Sequence, residues 1–365
     1  MLITDKSALK RFNSDYRIWQ GIPSIEVTKK GRIFVTFYSG GTKEEYGNFA
    51  FVVKCDDGKN FSEPIVSAYK DGYRCFDPCL WIDPLGRLWF TWAIAPEDAV
   101  WGSVCDDPDA DELVWGEPFF IGNDVMMNKP LVLSSGEWLF PIAVWNHDVR
   151  TMSPEFDSKT PDKGSFVYQS IDEGKSFEKL GAADVPNRHF DEHMLVERKD
   201  GRLWMLVRTR YGIGQSFSCD GGRTWTPGTD SGIGGPSSRF FIRRLRSGRL
   251  LLINHFDFTK RNNLMAKLSD DDGKTWSKGI MIDERAGVSY PDAVEADDGY
   301  IYITYDYSRG AFKNSLEEAL SCHREILMAR ITEEDILNGE AKDSGSYLKR
   351  IVSKLGNYKG EDLFK

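Results

Sequence analysis

A short motif recurs six times along the chain: a glycine followed by alternating apolar residues. It reads GRIFVTF from Gly31, GRLWFTW from Gly86, GEWLFPI from Gly136, GRLWMLV from Gly201, GRLLLIN from Gly248 and GYIYITY from Gly299. Self-similarity at a period of roughly 50 residues restricts a chain to repeat architectures. Each copy follows a second apolar run, among them PSIEV, PCLWI, HMLVE and PDAVEA. Two such runs joined by a polar, Gly-bearing turn read as a β-hairpin. The period leaves room for two further strands per unit, and four-stranded units of this length are propeller blades. The expectation is one all-β domain over residues 1–365, a six-bladed β-propeller. Its blades fall at about 20–66, 74–122, 126–183, 188–234, 236–284 and 287–332. The N-terminal residues are expected to supply the outermost strand of the last blade and so close the ring. TEEDILNG, from Thr332, reads as a capped helix opening a short helical tail over 333–365.

A second motif is displaced within the same period: SIDEGKSF from Ser170, SCDGGRTW from Ser218 and SDDDGKTW from Ser269. A weaker copy, KCDDGKNF, starts at Lys54, and a broken one, VCDDPDADELVW, at Val104. Ser, Asp and Gly at these offsets build a tight turn in which Asp bonds local amides, and the trailing aromatic packs into the blade. This S-x-D-x-G-x-T-W pattern is the Asp box. With it the chain resembles the sialidase (neuraminidase) superfamily over roughly residues 20–332, which implies a propeller of sialidase type.

Composition narrows the function. An apolar share of 41% supports an ordinary core, and the 13% aromatic content with 34 Gly suits strands and tight turns. A formal charge of −9 argues against nucleic acid as a partner. No apolar run approaches the roughly 20 residues of a membrane span. The opening MLITDKSALKRF carries charges where a signal peptide would be apolar, so the expected location is cytoplasmic. Six cysteines are too few for a disulfide scaffold, and Cys75 and Cys79, with Pro78 between them, fit no familiar zinc spacing. DDDG at 270–273 lacks the later Glu of a calcium loop. No metal or other cofactor is expected. The basic cluster Arg243, Arg244, Arg246 and Arg249 reads as a solvated strand and turn.

In a propeller the first strand of each blade starts, and the second ends, at one mouth of the central channel. Aligning the six units gives a column of mouth positions: Gly21-Ile22, Phe76-Asp77, Asn128-Lys129, Asp191-Glu192, Ser238-Arg239 and Ser289-Tyr290. Charge gathered beside apolar core is what a binding site needs and a core avoids. The ends of the second strands add Tyr38, Trp92, Trp145, Arg208, His255, Tyr305 and Asp306, and aromatic faces beside charge suit sugar rings. Two long loops, 146–164 and 308–323, lie on the same face and read as partial lids.

The resemblance also implies roles. The family pattern N-E-x-x-V-x-E-x-x-D-G-x-L…R matches DEHMLVERKDGRLWMLVR, which puts Glu192 at the base that activates a nucleophile and Arg208 at a carboxylate-binding arginine. YPDAVEADDGYIYITYD puts Tyr290 at the nucleophilic tyrosine, with Pro291 where Ser is usual and Asp306 where Glu is usual. A phenol with a pKa near 10 needs such a base before it attacks. The first-blade arginine reads Gly21 here, and the third falls near Arg261. The general acid has no clear match: Glu44 and Glu45 lie in the first-blade loop and Asp77 across from it, so Asp77 with Glu192 is an alternative acid–base pair. Lys129 and Arg239 add cations to the column.

The expected substrate-binding set is thus Arg208, Arg239, Lys129, Arg261, Glu45, Tyr38, Trp92, His255 and Asp306. The expected function is glycoside hydrolysis on an acidic or unusual sugar, with a sialidase as one form of it. The alternatives are a lyase acting on uronate-containing glycans, with Tyr290 or His255 as base, and a carbohydrate-binding propeller without turnover. The expected partner is a glycan, with neither nucleic acid nor membrane.

Overall fold

The computed structural model describes residues 1–145, 163–309, 315–322 and 324–361. Six antiparallel sheets follow one another along the chain, five of four strands and one of five, and make a six-bladed propeller. The innermost strands are Trp19–Val27, Arg74–Ile82, Leu131–Val132, Arg188–Glu197, Phe241–Arg244 and Val288–Glu295. Each pairs with the strand that carries the repeated motif.

The motif glycine works the same way in every blade. It turns the hairpin on the face opposite the mouth with positive φ, 80° at Gly201 for instance, and its N–H donates three residues back, to Arg198 O at 2.9 Å. Glycine reaches that conformation without a Cβ penalty. The Asp boxes close the third strands on this same face. In all three good copies the Ser hydroxyl donates to the Asp, the Gly N–H donates to the Ser Oγ, and the Ser or Thr two residues beyond the Gly donates to the Asp through N–H and hydroxyl. Between blades, both faces of most inner strands are buried. Trp89, for example, is enclosed by Trp81, Trp138, Phe140 and Phe119.

Ring closure differs from the sequence expectation. Leu2–Ile3 pairs with Val66–Ala68 and becomes a fifth strand on the outer edge of blade 1. Blade 6 is completed from the C-terminal side, by Tyr347–Lys354 pairing with Glu325–Ile331. The helix after Thr332 forms with a capping box over Glu333–Asn338, but the segment beyond it is therefore this strand rather than a helical tail. Among the described residues no strand is exchanged at the seam, and side chains tie blades 1 and 6 together. Gln20 donates to Arg324 O at 2.7 Å, Ser353 donates to Gln20 at 2.9 Å, and Arg350 donates to Gly58 O at 2.6 Å.

Among the described residues, no helix is long and apolar enough to cross a membrane, and no group of His, Cys, Asp and Glu is arranged to hold a metal. Of the two expected lid loops, 146–162, 310–314 and 323 lie outside the described residues.

Candidate functional site

Four innermost strands break register where they reach the mouth: between Gly21 and Ser24, Phe76 and Cys79, Asp191 and Met194, and Ser289 and Asp292. At these bulges Ile22, Asp77, Glu192 and Tyr290 take positive φ, between 42° and 58°. An extra residue at a bulge loses its ladder partner and re-aims its side chain. In three blades the next residue is a proline, Pro23, Pro78 or Pro291, which has no N–H to leave unpaired. Non-glycine residues held this way cost of order 1–3 kcal/mol each, and such strain collects at functional sites. The bulges bring Asp77, Glu192 and Tyr290 to one place.

Tyr290 donates its hydroxyl to Glu192 Oε1 at 2.9 Å. Arg208 donates to the same carboxylate oxygen at 2.5 Å and to the Tyr290 oxygen at 3.0 Å. The second carboxylate oxygen, Glu192 Oε2, is buried and has no hydrogen-bond partner among the described residues. Arg261 lies 5.3 Å from the Tyr290 ring centroid and donates to Ser237 O at 3.0 Å. Ser237 Oγ in turn accepts from Arg208 at 3.1 Å.

A third guanidinium completes the ring of cations, and no motif announced it. Arg309 sits 4.5 Å from the Tyr290 ring centroid, held by Asp306 at 3.0 Å and by Glu44. Its stem fills the space left by Gly21: a Cβ at that position would lie 1.9 Å from Arg309 Cδ. The arginine missing from blade 1 is thus matched by one arriving from blade 6. Arg74, also unforeseen, donates to Glu44 at 3.1 Å and to Tyr38 at 3.2 Å.

The electrostatics separate two acids from one another. Burial pushes the Asp77 carboxyl up to about 7; Glu44 and Glu192 push the same way, while Arg74 and Arg309 pull back. Partial desolvation raises Glu44, whose side chain is 40% exposed, but Arg309 and Arg74 outweigh it and hold that carboxyl below its ordinary range. Burial and then Glu192 raise the Tyr290 phenol against the pull of Arg208, Arg261 and Arg309, so it is neutral at pH 7. Asp77 is poised to give or take a proton near neutrality, beside a neutral phenol already bonded to a base.

Several expected positions lie elsewhere. Arg239 and Lys129 do not reach the mouth. No positive φ occurs at Asn128, Lys129, Ser238 or Arg239, and the two cations point down the axis. Arg239 donates to Pro23 O, Met127 O, Asn128 and Asp292; Lys129 donates to Ile25 O, Leu80 O and Glu26. Glu45 accepts from Thr42 N at 3.0 Å in its own turn, and its neighbour Glu44 faces the mouth instead. Trp92 is fully buried against Phe90 in the blade core. His255 is also fully buried; its Nδ1 lies 2.8 Å from Asn262 O, so it braces the segment that carries Arg261. Burial takes its pKa down to about 4 and leaves it neutral. Tyr38 and Asp306 are buried supports, Tyr38 for Arg74, and Asp306 for Arg309, Ser289 and Ile22 N.

Residues 31–303 match the family described as the BNR repeat-like domain. No curated protein sequence matches the chain. Among solved structures it is similar to a protein of unknown function from Dyadobacter fermentans, at 18% identity over 79% of this chain and 90% of that one, with a TM-score of 0.60. It is similar to a Hadza microbial sialidase at 17% identity and a TM-score of 0.63, covering 80% of this chain and 64% of that one, so it spans under two thirds of that protein. The intramolecular trans-sialidase from Ruminococcus gnavus, solved with oseltamivir carboxylate, is similar at 12% identity over 89% of this chain and 97% of that one, with a TM-score of 0.64. At these identities the likeness shows the fold.

Proposed function

The chain belongs to the BNR repeat-like domain family, and from that premise together with the mouth geometry we propose that it is a glycoside hydrolase acting on a glycan with an acidic sugar, such as a sialoside. The observation that carries this reading is the Tyr290 hydroxyl donating to Glu192 at 2.9 Å inside a ring of Arg208, Arg261 and Arg309. A neutral phenol can approach an anomeric carbon that bears a carboxylate, where a carboxylate nucleophile would be repelled.

In the proposed reaction the Tyr290 oxygen attacks the anomeric carbon as its proton passes to Glu192. The glycosidic C–O bond breaks and the departing oxygen takes a proton from Asp77. A water then gives its proton to Asp77 as its oxygen bonds the anomeric carbon, and the Tyr290 oxygen leaves and recovers its proton from Glu192. The three guanidinia would hold the sugar carboxylate and spread the charge that gathers on the phenol oxygen.

A screen of chromogenic glycosides that includes a sialoside, a rhamnoside and a glucuronide tests this reading, with ultraviolet monitoring on uronate polymers. Release of chromophore from an acidic glycoside is expected. An absorbing unsaturated product would mean elimination in place of hydrolysis, and binding without turnover would mean a recognition module.

A further inference from the structure

The charges that meet at the mouth come out even. Among the described residues, Arg74, Arg208, Arg261 and Arg309 face Asp77, Glu44, Glu192 and Asp306, and Arg188 with Asp191 adds one of each at 3.0 Å. Three of the four carboxylates are held. Glu192 meets Arg208 at 2.5 Å and accepts the Tyr290 hydroxyl. Glu44 meets Arg74 at 3.1 Å and also Arg309. Asp306 meets Arg309 at 3.0 Å and accepts from Ser289 Oγ and Ile22 N. Asp77 is the exception: its carboxyl is buried, yet among the described residues it takes part in no ion pair or hydrogen bond.

Arg261 stands apart among the cations. Arg74, Arg208 and Arg309 are buried, while Arg261 is half-buried. Among the described residues its guanidinium meets no carboxylate and donates only to Ser237 O, at 3.0 Å. It is therefore the guanidinium with room for an incoming carboxylate. Its charge reaches across the mouth, since it favours the ionised forms of both Tyr290 and Glu44. A negative charge set on Arg261 acts on the same groups with the opposite sign.

An even count has a consequence when a carboxylate arrives. The mouth then holds one negative charge too many, and the acid held least firmly gives way by taking a proton. Glu44, Glu192 and Asp306 would each have to weaken a bond to a guanidinium; Asp77 has none to weaken. The groups facing Asp77 pull in opposite directions. Arg74 on its own strand and Arg309 from blade 6 favour its ionised form, Glu44 from blade 1 and Glu192 from blade 4 oppose it, and Tyr38 beside it is a neutral phenol. With burial added, this carboxyl titrates at about 7, so a modest further negative charge protonates it at neutral pH.

We propose that the mouth couples anion binding to protonation: a sugar carboxylate that settles on Arg261 draws a proton from solvent onto Asp77. The inference rests on the acidic-sugar reading of the site and adds a device to it. An anionic substrate loads the acid that its own leaving group needs, and a neutral sugar does not.

The probe is a sulfur-linked sialoside, which resists hydrolysis and whose carboxylate is ionised throughout the range used. Two carboxylates sharing one mouth should move the Asp77 titration up by about one pH unit. Because the bound state then holds the extra proton, affinity falls as pH rises through that window, and Kd should be about tenfold tighter at pH 6 than at pH 9. Calorimetry in two buffers of unlike ionisation enthalpy should show about half a proton taken up per ligand near pH 7.5. The methyl ester of the same probe should take up none. Asp77→Asn should bind the acid with no proton uptake, and Arg261→Gln should weaken it by at least about tenfold at either pH. With a cleavable substrate, the decline of turnover near pH 7 at low concentration should move up by about one pH unit at saturation. A sulfur-linked glucuronide that binds with proton uptake where the sialoside does not bind supports the same coupling. Binding of an acidic probe without proton uptake overturns this proposal alone, as do uptake that persists in Asp77→Asn, equal uptake with the ester, and unchanged affinity in Arg261→Gln. If neither acidic probe binds at any pH, the acidic-sugar reading falls with it.

Discussion

Tyr290, Glu192 and Asp77 were legible in the sequence because each sits at a fixed offset from a repeated hairpin. The structure adds why those offsets work: the bulges turn these three side chains into the mouth. Where a blade lacks the bulge, as at Lys129 and Arg239, which precede the strands Leu131–Val132 and Phe241–Arg244, the side chain is held by carbonyls and carboxylates below the mouth, and a one-dimensional column cannot register that difference. Tyr290→Phe and Glu192→Gln should each lower turnover by at least about 100-fold, the scale for losing a nucleophile or its base. Tyr290→Phe keeps the ring and should change Tm little, whereas Glu192→Gln removes the carboxylate that faces the buried Arg208 and should lower Tm. Asp77 yields a prediction with two signs. Its folded pKa, about 7, lies above its ordinary value of 3.8, so the folded state binds the extra proton and its stability falls as pH rises through that window. Asp77→Asn should therefore raise Tm at pH 8 more than at pH 5, while activity is lost. In the wild type, turnover should decline above about pH 7 as the general acid loses its proton.

At the scale of elements, the two ends of one seam compensate each other. Gly21 on blade 1 and Arg309 after the second strand of blade 6 occupy a single space. In sequence Gly21 reads as a lost arginine, since nothing in SRGAF marks Arg309 as its replacement; only packing across the seam reveals the exchange. Gly21→Ala should displace the Arg309 stem and raise KM by roughly tenfold or more, the scale of one charged contact. Arg309→Ala should do the same, and the double variant should be no worse than the worse single one, the signature of a shared contact. Additive losses would separate the two residues. The same limit explains Glu45: two adjacent glutamates in a turn cannot be told apart until the hydrogen bonds of that turn are known.

For the whole molecule, the six-fold period carried the architecture and missed the closure. A repeat specifies how each unit folds, but the terminal strands follow no repeat, so their partners depend on contacts formed after the ring is drawn together. With blade 6 completed by Tyr347–Lys354, a protein lacking residues 1–4 should keep a cooperative unfolding transition. Removing residues 346–361 should abolish it by exposing Ile326 and Met328. An N-terminal truncation that unfolds the protein would show that Leu2–Ile3 secures the ring after all. The most direct test of the tyrosine mechanism is to trap its intermediate. Incubation with a slowly turned-over fluorinated acidic glycoside, acid quench and peptide mass spectrometry should find the sugar mass on the peptide containing Tyr290, and none in Tyr290→Phe. A sugar adduct on Glu192 or Asp77, or turnover of that glycoside with no adduct at all, would contradict it.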